Sequence, residues 1–102
     1  TTRKPKIKNI TGGLSGPAIK PVALAKVLEI KRNVDIPIIG IGGIFSWKDA
    51  IEFMIAGASA FQLGTVNFIH PNISETMINE LILYCEKMKI TSIKDLTGSY
   101  IL

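Results

Sequence analysis

The sequence has 102 residues, of which 47% are hydrophobic and 20% are charged, a composition typical of one soluble domain or of part of a larger one. It contains no stretch of about 18 apolar residues, which excludes a transmembrane helix, and residues 1–5 lack the pattern of a secretory signal. Cys85 is the only cysteine, so an internal disulfide and a multi-cysteine metal site are excluded. We therefore expect a reducing, cytoplasmic setting and no metal site.

The basic charge is concentrated at the start of the chain. The net charge of +4 comes from 12 Lys and Arg against 8 Asp and Glu, and the excess lies at Arg3, Lys4, Lys6 and Lys8. No aromatic residue is interleaved with these basic residues, as stacking on nucleic-acid bases would require. We expect a solvated loop or strand end here and no nucleic-acid partner.

The first half of the chain predicts a helix followed by a strand. Pro21 suits the first turn of a helix, and apolar residues then recur at three- and four-residue spacing, which predicts an amphipathic helix ending near Asn33. Residues 36–41 are rich in isoleucine at successive positions. This pattern predicts a strand covered on both faces, in the middle of a parallel sheet.

A second helix and a second strand complete a predicted βαβ unit. Ser46 and Asp49 have the spacing of a capping box, and Gly57 is expected to end the helix that they begin. Residues 60–63 predict another strand, and two parallel strands joined by a helix form a right-handed unit. The expected buried stripe of this helix comprises Ala50, Ile51, Met54, Ile55 and Ala58.

The last third predicts a helix capped by Ser74 and then a short helical turn marked by Ser92 and Asp95. The expected buried stripe of the helix comprises Met77, Ile78, Leu81, Ile82, Cys85 and Met88. No linker or repeat interrupts the chain, so residues 1–102 are predicted to form one domain without an internal boundary. With only two strands, both sheet edges are expected to lack partners, which indicates part of a larger fold.

Three glycine clusters stand where strands end or where loops lead into helices. They comprise Gly12, Gly13 and Gly16; Gly40, Gly42 and Gly43; and Gly64 with Thr65. Glycine lets main-chain N–H groups approach an anion without a Cβ in the way. Any one cluster alone is more simply a tight turn. Together, at the ends of two successive strands, they predict the phosphate site of a (β/α)₈ barrel.

A Rossmann-type nucleotide site is the competing interpretation of the glycines. Its G-x-G-x-x-G spacing from Gly40 requires a glycine at position 45, where this chain has Phe45. The spacing therefore does not fit that class of site.

Four segments in this order resemble the C-terminal part of the class 1 dihydroorotate dehydrogenases: NITGGLSGPAIKP at 9–21, IPIIGIGGI at 36–44, DAIEFMIAGAS at 49–59 and FQLGTVNF at 61–68. The tail KITSIKDLTG and the VNF segment resemble the bacterial form that works with an iron-sulfur electron-transfer subunit and NAD. The resemblance implies the last third of a (β/α)₈ barrel of about 250 residues, with 36–41 and 60–63 as its seventh and eighth strands. The opening basic segment is then expected in the loop after the sixth strand.

The resemblance also implies a function. It indicates a flavoprotein of pyrimidine biosynthesis that oxidises dihydroorotate to orotate with FMN as hydride acceptor. An oligomeric enzyme and an iron-sulfur FAD electron-transfer subunit as its partner are expected from the same resemblance. Matching positions imply that FMN is bound, chiefly around its phosphate, by Gly16, Gly42, Gly43, Gly64 and Thr65. The family's catalytic cysteine, lysine and asparagines match no position here and are expected upstream. This chain alone is therefore expected to be inactive.

Two other interpretations remain open from the residues alone: a different FMN-binding barrel, such as a dihydropyrimidine dehydrogenase domain, and a stand-alone phosphate-binding or assembly module. Among single residues, Cys85 is expected to be structural and His70 to lie in a surface loop. Trp47 is expected to pack against a neighbouring element, and Lys20 either to meet a phosphate or to be solvated.

Overall fold

A computed structural model describes residues 3–4 and 12–99 of the chain. The expectations for Lys6, Lys8 and the first residues of the 9–21 segment therefore lie outside the described residues. In chain order the elements are a 3₁₀ turn Pro17–Ile19, α1 Lys20–Asn33, β1 Ile39–Ile41, α2 Trp47–Ala56, β2 Ala60–Gln62, α3 Val66–Ile69, α4 Ile73–Lys87 and a 3₁₀ turn Ile93–Leu96.

The two strands form a parallel pair in which Ile39 lies opposite Ala60 and Ile41 opposite Gln62. Helix α2 connects them, so the predicted α/β arrangement of two parallel strands with flanking helices is confirmed. Helix α1 has a proline in its first turn and ends at Asn33, as the sequence predicts.

Strand β1 differs from its prediction in length and in burial. It is shorter than 36–41 because Pro37 has no N–H to donate and β2 pairs with only three residues. The prediction that both faces are covered is wrong for the described residues, since Ile39 is 58% exposed and Ile41 is 53% exposed. The helices pack only on the opposite face, where Gly40 lies against the ring of Phe53.

Helix α2 supplies the centre of the core. Ala50, Ile51 and Met54 are buried as predicted, and Phe53, absent from the predicted stripe, is also fully buried. Ala58 is buried but lies beyond the helix, which ends at Gly57. The 3₁₀ turn near the end of the chain closes this end of α2: the Gly98 N–H donates to the Met54 carbonyl at 2.9 Å. Thr97 Oγ1 donates to the Ala58 carbonyl at 3.0 Å.

The predicted capping box is present at the start of α2. The Asp49 N–H donates to Ser46 Oγ at 3.4 Å, and the Ser46 N–H donates to Asp49 Oδ2 at 3.1 Å. Asp49 has two further partners, because Oδ2 also accepts the Phe45 N–H at 2.9 Å and Oδ1 accepts Lys20 Nζ at 2.7 Å. This one carboxylate thus joins α2, the loop before it and the first turn of α1.

Helix α4 begins two residues earlier than expected. Its N-cap is Asn72, and Ser74 lies inside the first turn, so the prediction of a Ser74 cap is wrong. The sequence also does not predict the short helix α3 that precedes it. Met77 and Leu81 are buried, whereas Ile78, Ile82 and Met88 are more than half exposed, so the predicted stripe is only partly correct.

An aromatic contact ties α2 to α4. The rings of Trp47 and Tyr84 have centroids 5.2 Å apart at an interplanar angle of 42°, within the range of favourable aromatic pairs. The expectation that Trp47 packs against a neighbouring element is confirmed. None of the helices in the described part of the chain has the length and apolar character needed to cross a membrane.

Substituting Gly40 with alanine tests the tight contact between β1 and α2. The added Cβ would lie 2.6 Å from Cδ1 of Phe53, a fully buried ring, so we expect a loss of about 1–3 kcal/mol in the free energy of unfolding. Urea denaturation measures this loss. Gly13→Ala is the matched control, since nothing lies within 4 Å of a Cβ there and both variants restrict the unfolded chain equally. Equal stabilities for the two variants would contradict the packing described here.

Substituting Asp49 with asparagine tests the carboxylate at the start of α2. Burial raises the pKa of Asp49, but the hydrogen bonds from Lys20, Phe45 and Ser46 together outweigh burial and leave the pKa below its ordinary value. A carboxylate with a lowered pKa stabilises the fold above the unfolded pKa of about 3.9, and that contribution disappears as pH falls through the folded pKa.

We therefore expect Asp49→Asn to be less stable than the parent at pH 7, with the difference shrinking below about pH 4. Urea denaturation between pH 3 and pH 7 measures this dependence. Asp35→Asn serves as the control, because Asp35 is exposed. A difference between the Asp49 variant and the parent that stays constant with pH would argue against the stabilising carboxylate.

Candidate functional site

Three loops meet beyond the carboxyl ends of β1 and β2 and enclose a small hollow. Its volume is about 120 Å³, roughly four times the 30 Å³ that a water molecule takes in the liquid. The lining residues are Ser15, Gly16, Ile41, Gly42, Gly43, Ile44, Phe45, Gln62, Gly64 and Thr65. All five residues predicted to bind a phosphate group, Gly16, Gly42, Gly43, Gly64 and Thr65, are therefore brought together around one space.

The convergence follows from the parallel pairing. Because parallel strands end at the same edge of a sheet, the loop after β1 and the loop after β2 lie side by side. The loop before α1 reaches the same place because α1 packs against β1 and α2. Gly40 belongs to the second glycine cluster of the sequence, but it lies within β1 against Phe53 and does not line the hollow.

Gly43 has a packing role that only the structure reveals. Its φ is +76°, and a Cβ at this position would lie 2.8 Å from the backbone nitrogen of Lys20. Residues other than glycine rarely adopt this φ, and a side chain would push the first turn of α1 away. Gly43 therefore allows the loop after β1 to contact α1 directly.

Gly64 differs from Gly43, since nothing lies within 4 Å of a Cβ built there and its φ is outside the left-handed region. The fold itself has no need of glycine at this position. Open space next to the hollow is therefore what the missing side chain provides.

Main-chain donors without acceptors surround the hollow. The N–H groups of Gly43, Ile44, Gly64 and Thr65 have no hydrogen-bond acceptor among residues 12–99. None of the described residues that line the hollow is acidic or basic. Several free N–H donors and two hydroxyls, those of Ser15 and Thr65, with no carboxylate among the described lining residues to repel an anion, suit a group with several acceptor oxygens.

Lys20 behaves differently from both expectations for it. Its Nζ contacts Asp49 Oδ1 at 2.7 Å and Glu52 Oε2 at 3.0 Å, so it is engaged in an ion pair and is neither a solvated lysine nor a lining residue. The hydrogen bond to Asp49, followed by the one to Glu52, raises the pKa of Lys20. The sequence placed Asp49 only in a capping box, because nothing local links it to a residue 29 positions away.

The remaining candidates lie outside the hollow. His70 is exposed and follows α3, as expected of a surface loop. Cys85 is half-buried on α4, where it lines a separate apolar groove with Phe61 and Leu81. In the part of the chain that the structure describes, no three His, Cys, Asp or Glu residues lie close enough to hold a metal ion.

Sequence reasoning missed half of the lining. Ser15, Ile41, Ile44, Phe45 and Gln62 line the hollow beside the predicted residues. Strand alternation offers a signal for Gln62, because it shares a face with its partner Ile41 at the ends of the paired strands. No comparable signal marks Ser15, whose place depends on how α1 packs.

Comparison with known proteins agrees with this geometry. The family model described as "Dihydroorotate dehydrogenase" matches residues 1–84. The catalytic subunit of dihydroorotate dehydrogenase B (NAD(+)) from Parabacteroides distasonis is 55% identical over 97 residues, which is 95% of this chain and 32% of that relative. The corresponding subunit from Caldicellulosiruptor bescii is 57% identical over 98 residues, 96% of this chain and 33% of that relative.

Among solved structures, the dihydroorotate dehydrogenase of Eimeria tenella in complex with ferulenol superposes with a TM-score of 0.79 at 27% identity, over 97% of this chain and 29% of that one. The chain spans about a third of the length of the curated relatives that it matches. The predicted fold class, part of a (β/α)₈ barrel, is confirmed by this likeness. The strand pairing, the glycine loops and the match over residues 1–84 lead to one conclusion: the chain belongs to the dihydroorotate dehydrogenase family.

Proposed function

We propose that this chain supplies the phosphate-binding part of an FMN-dependent dihydroorotate dehydrogenase, which oxidises dihydroorotate to orotate in pyrimidine biosynthesis. FMN is proposed to be held by Gly16, Gly42, Gly43, Gly64 and Thr65. The observation that carries the proposal is the convergence of all five on one hollow, where the N–H groups of Gly43, Gly64 and Thr65 have no acceptor among residues 12–99. When bound, FMN would supply the hydride-accepting chemistry.

The size and polarity of the hollow support a phosphate group in particular. A volume of about 120 Å³ is well below the roughly 300–1,000 Å³ of a site for a whole small molecule, so only part of a nucleotide fits. The isoalloxazine ring would have to lie outside it. Hydrogen bonds from N–H groups to a charged oxygen contribute about 1.5–3 kcal/mol each, so several of them can hold a phosphate without a lysine.

The residues that perform the chemistry are proposed to lie elsewhere in the whole enzyme. The resemblance to the class 1 enzymes implies a cysteine as the base, but Cys85 lies in an apolar groove that shares no lining residue with the hollow. We propose that residues 1–102 form one partial barrel domain without an internal boundary. The chain positions the cofactor phosphate, and the rest of the barrel supplies base and substrate contacts.

We propose an iron-sulfur FAD electron-transfer subunit as the partner of the whole enzyme. The relatives are catalytic subunits of an NAD(+)-linked enzyme, and that name supports a partner subunit. Dihydroorotate and orotate are its proposed substrate and product, the enzyme is proposed to be oligomeric, and we place it in the cytoplasm.

Replacing Gly64 with valine in the full-length enzyme tests the phosphate site. The new side chain has room in the fold but would occupy space beside the hollow, so we expect flavin affinity to fall by about tenfold or more as one N–H contact is lost. Flavin absorbance per protein after dialysis measures occupancy. Gly13→Val is the matched control, since Gly13 also has open space and does not line the hollow. Unchanged occupancy in the Gly64 variant would refute the assignment.

Separating the chain from the rest of the enzyme tests where the chemistry lies. We expect the full-length enzyme to reduce a dye with dihydroorotate, whereas this chain with added FMN shows no turnover, because no base or substrate contact lies at its hollow. Dye bleaching in both samples measures this. Turnover by the chain alone would place the catalytic residues here instead, and an inactive full-length enzyme would contradict the proposed reaction.

A further inference from the structure

We propose that Asp49 is the positioning residue of the phosphate site, because its carboxylate fixes the loop after β1 relative to the loop before α1. The inference rests on the proposed function and adds a residue that does not itself line the hollow. It concerns how the site is held open rather than which atoms touch the ligand.

The carboxylate binds the loop after β1 and the first turn of α1 through separate oxygens. Oδ2 accepts the N–H groups of Phe45 at 2.9 Å and Ser46 at 3.1 Å, which belong to the loop after β1. Oδ1 accepts Lys20 Nζ at 2.7 Å, which belongs to the first turn of α1. The Asp49 side chain is only 17% exposed, so water screens these interactions weakly. The Asp49 carboxylate therefore holds the loop after β1 against the first turn of α1.

The same two segments also touch through their backbones. Gly43 packs against the backbone of Lys20, so the ion pair and this contact act on the same junction. The 3₁₀ turn Pro17–Ile19 connects that junction directly to Gly16. The distance between Gly16 and Gly43 across the hollow is consequently set by the junction that Asp49 holds.

Asp49 accepts hydrogen bonds from only some of the N–H groups in the loop after β1. It takes the N–H groups of Phe45 and Ser46, whereas those of Gly43 and Ile44 have no acceptor among the described residues. Because the end of the loop after β1 is bound to Asp49, the N–H groups of Gly43 and Ile44 at its beginning remain available for an anion. An asparagine in place of Asp49 could not accept from Lys20 and keep both loop bonds with equal strength, because it is uncharged and has only one oxygen.

Two neighbouring residues provide matched controls. Glu52 also contacts Lys20, at 3.0 Å, but it is half exposed and has no hydrogen bond to the loop. Ser46 caps α2 through its hydroxyl, so Ser46→Ala weakens the helix by about the amount typical of a lost cap while the Asp49 bonds to Lys20 and Phe45 persist. Glu52→Gln controls for the loss of a charge beside Lys20, and Ser46→Ala controls for a less stable α2. Neither variant removes the Asp49 contacts that position the loop.

The experiment titrates full-length apo-enzyme with FMN and with riboflavin, which has the same ring but no phosphate, and follows flavin fluorescence. We expect Asp49→Asn to bind FMN about tenfold or more weakly, equivalent to about 1.4 kcal/mol, with riboflavin affinity unchanged. Glu52→Gln and Ser46→Ala are expected to bind both flavins like the parent. A purely structural role would lower affinity for both flavins alike.

Other results would overturn the proposal. Equal weakening of FMN and riboflavin binding by Asp49→Asn, or an equal effect of Ser46→Ala on FMN, would show that Asp49 only stabilises α2. If Asp49→Asn does not fold by circular dichroism, Lys20→Met decides, because it breaks the same bridge from α1 and should weaken FMN alone. A parent enzyme that binds FMN and riboflavin equally would refute the proposed phosphate site itself. This result is distinguishable from a failure of the Asp49 proposal, because it is seen in the parent enzyme without any substitution.

Discussion

The parallel pairing of β1 with β2 is the constraint on which the rest of the structure depends. It places the carboxyl ends of both strands at one edge, so that glycine loops about 20 residues apart in sequence open onto one hollow. The pairing is itself kept by α2, whose Phe53 fits against the bare backbone of Gly40. A larger residue on β1 at that point would separate the strand from the helix and displace the loops with it.

The site works through backbone groups, and this explains its dependence on packing. N–H donors cannot be moved by a change of rotamer, so their positions are only as exact as the loops that carry them. Gly43 contacts the first turn of α1, and Asp49 ties that turn to the same loop. Lys20 and Asp49 therefore do not line the hollow but hold the loops that do, and the described lining residues are uncharged.

Several large apolar side chains of the sheet and of α4 are exposed. Ile39 and Ile41 are exposed on the face of the sheet opposite α2, and Ile78 and Ile82 are exposed on α4. The apolar pattern of the sequence predicts that all four side chains are buried. The curated relatives are about three times longer than this chain. The pattern of the sequence is thus that of a domain with more layers than these residues provide.

The sequence by itself determined the order of α1, β1, α2, β2 and α4, the capping box of Ser46 and Asp49 and the end of α2 at Gly57, because each depends on local backbone preferences. The five residues around the hollow follow from the resemblance to the dihydroorotate dehydrogenases, and the structure brings them together. Only the tertiary structure decided the pairing of Lys20 with Asp49, the contact of Gly43 with α1 and the presence of Ser15 and Gln62 in the lining. Those features depend on how α1 packs against α2, and contacts between residues far apart in sequence leave no periodic or local signal. The start of α4 at Ile73 was missed for a related reason, since the unpredicted α3 fixes where the chain turns.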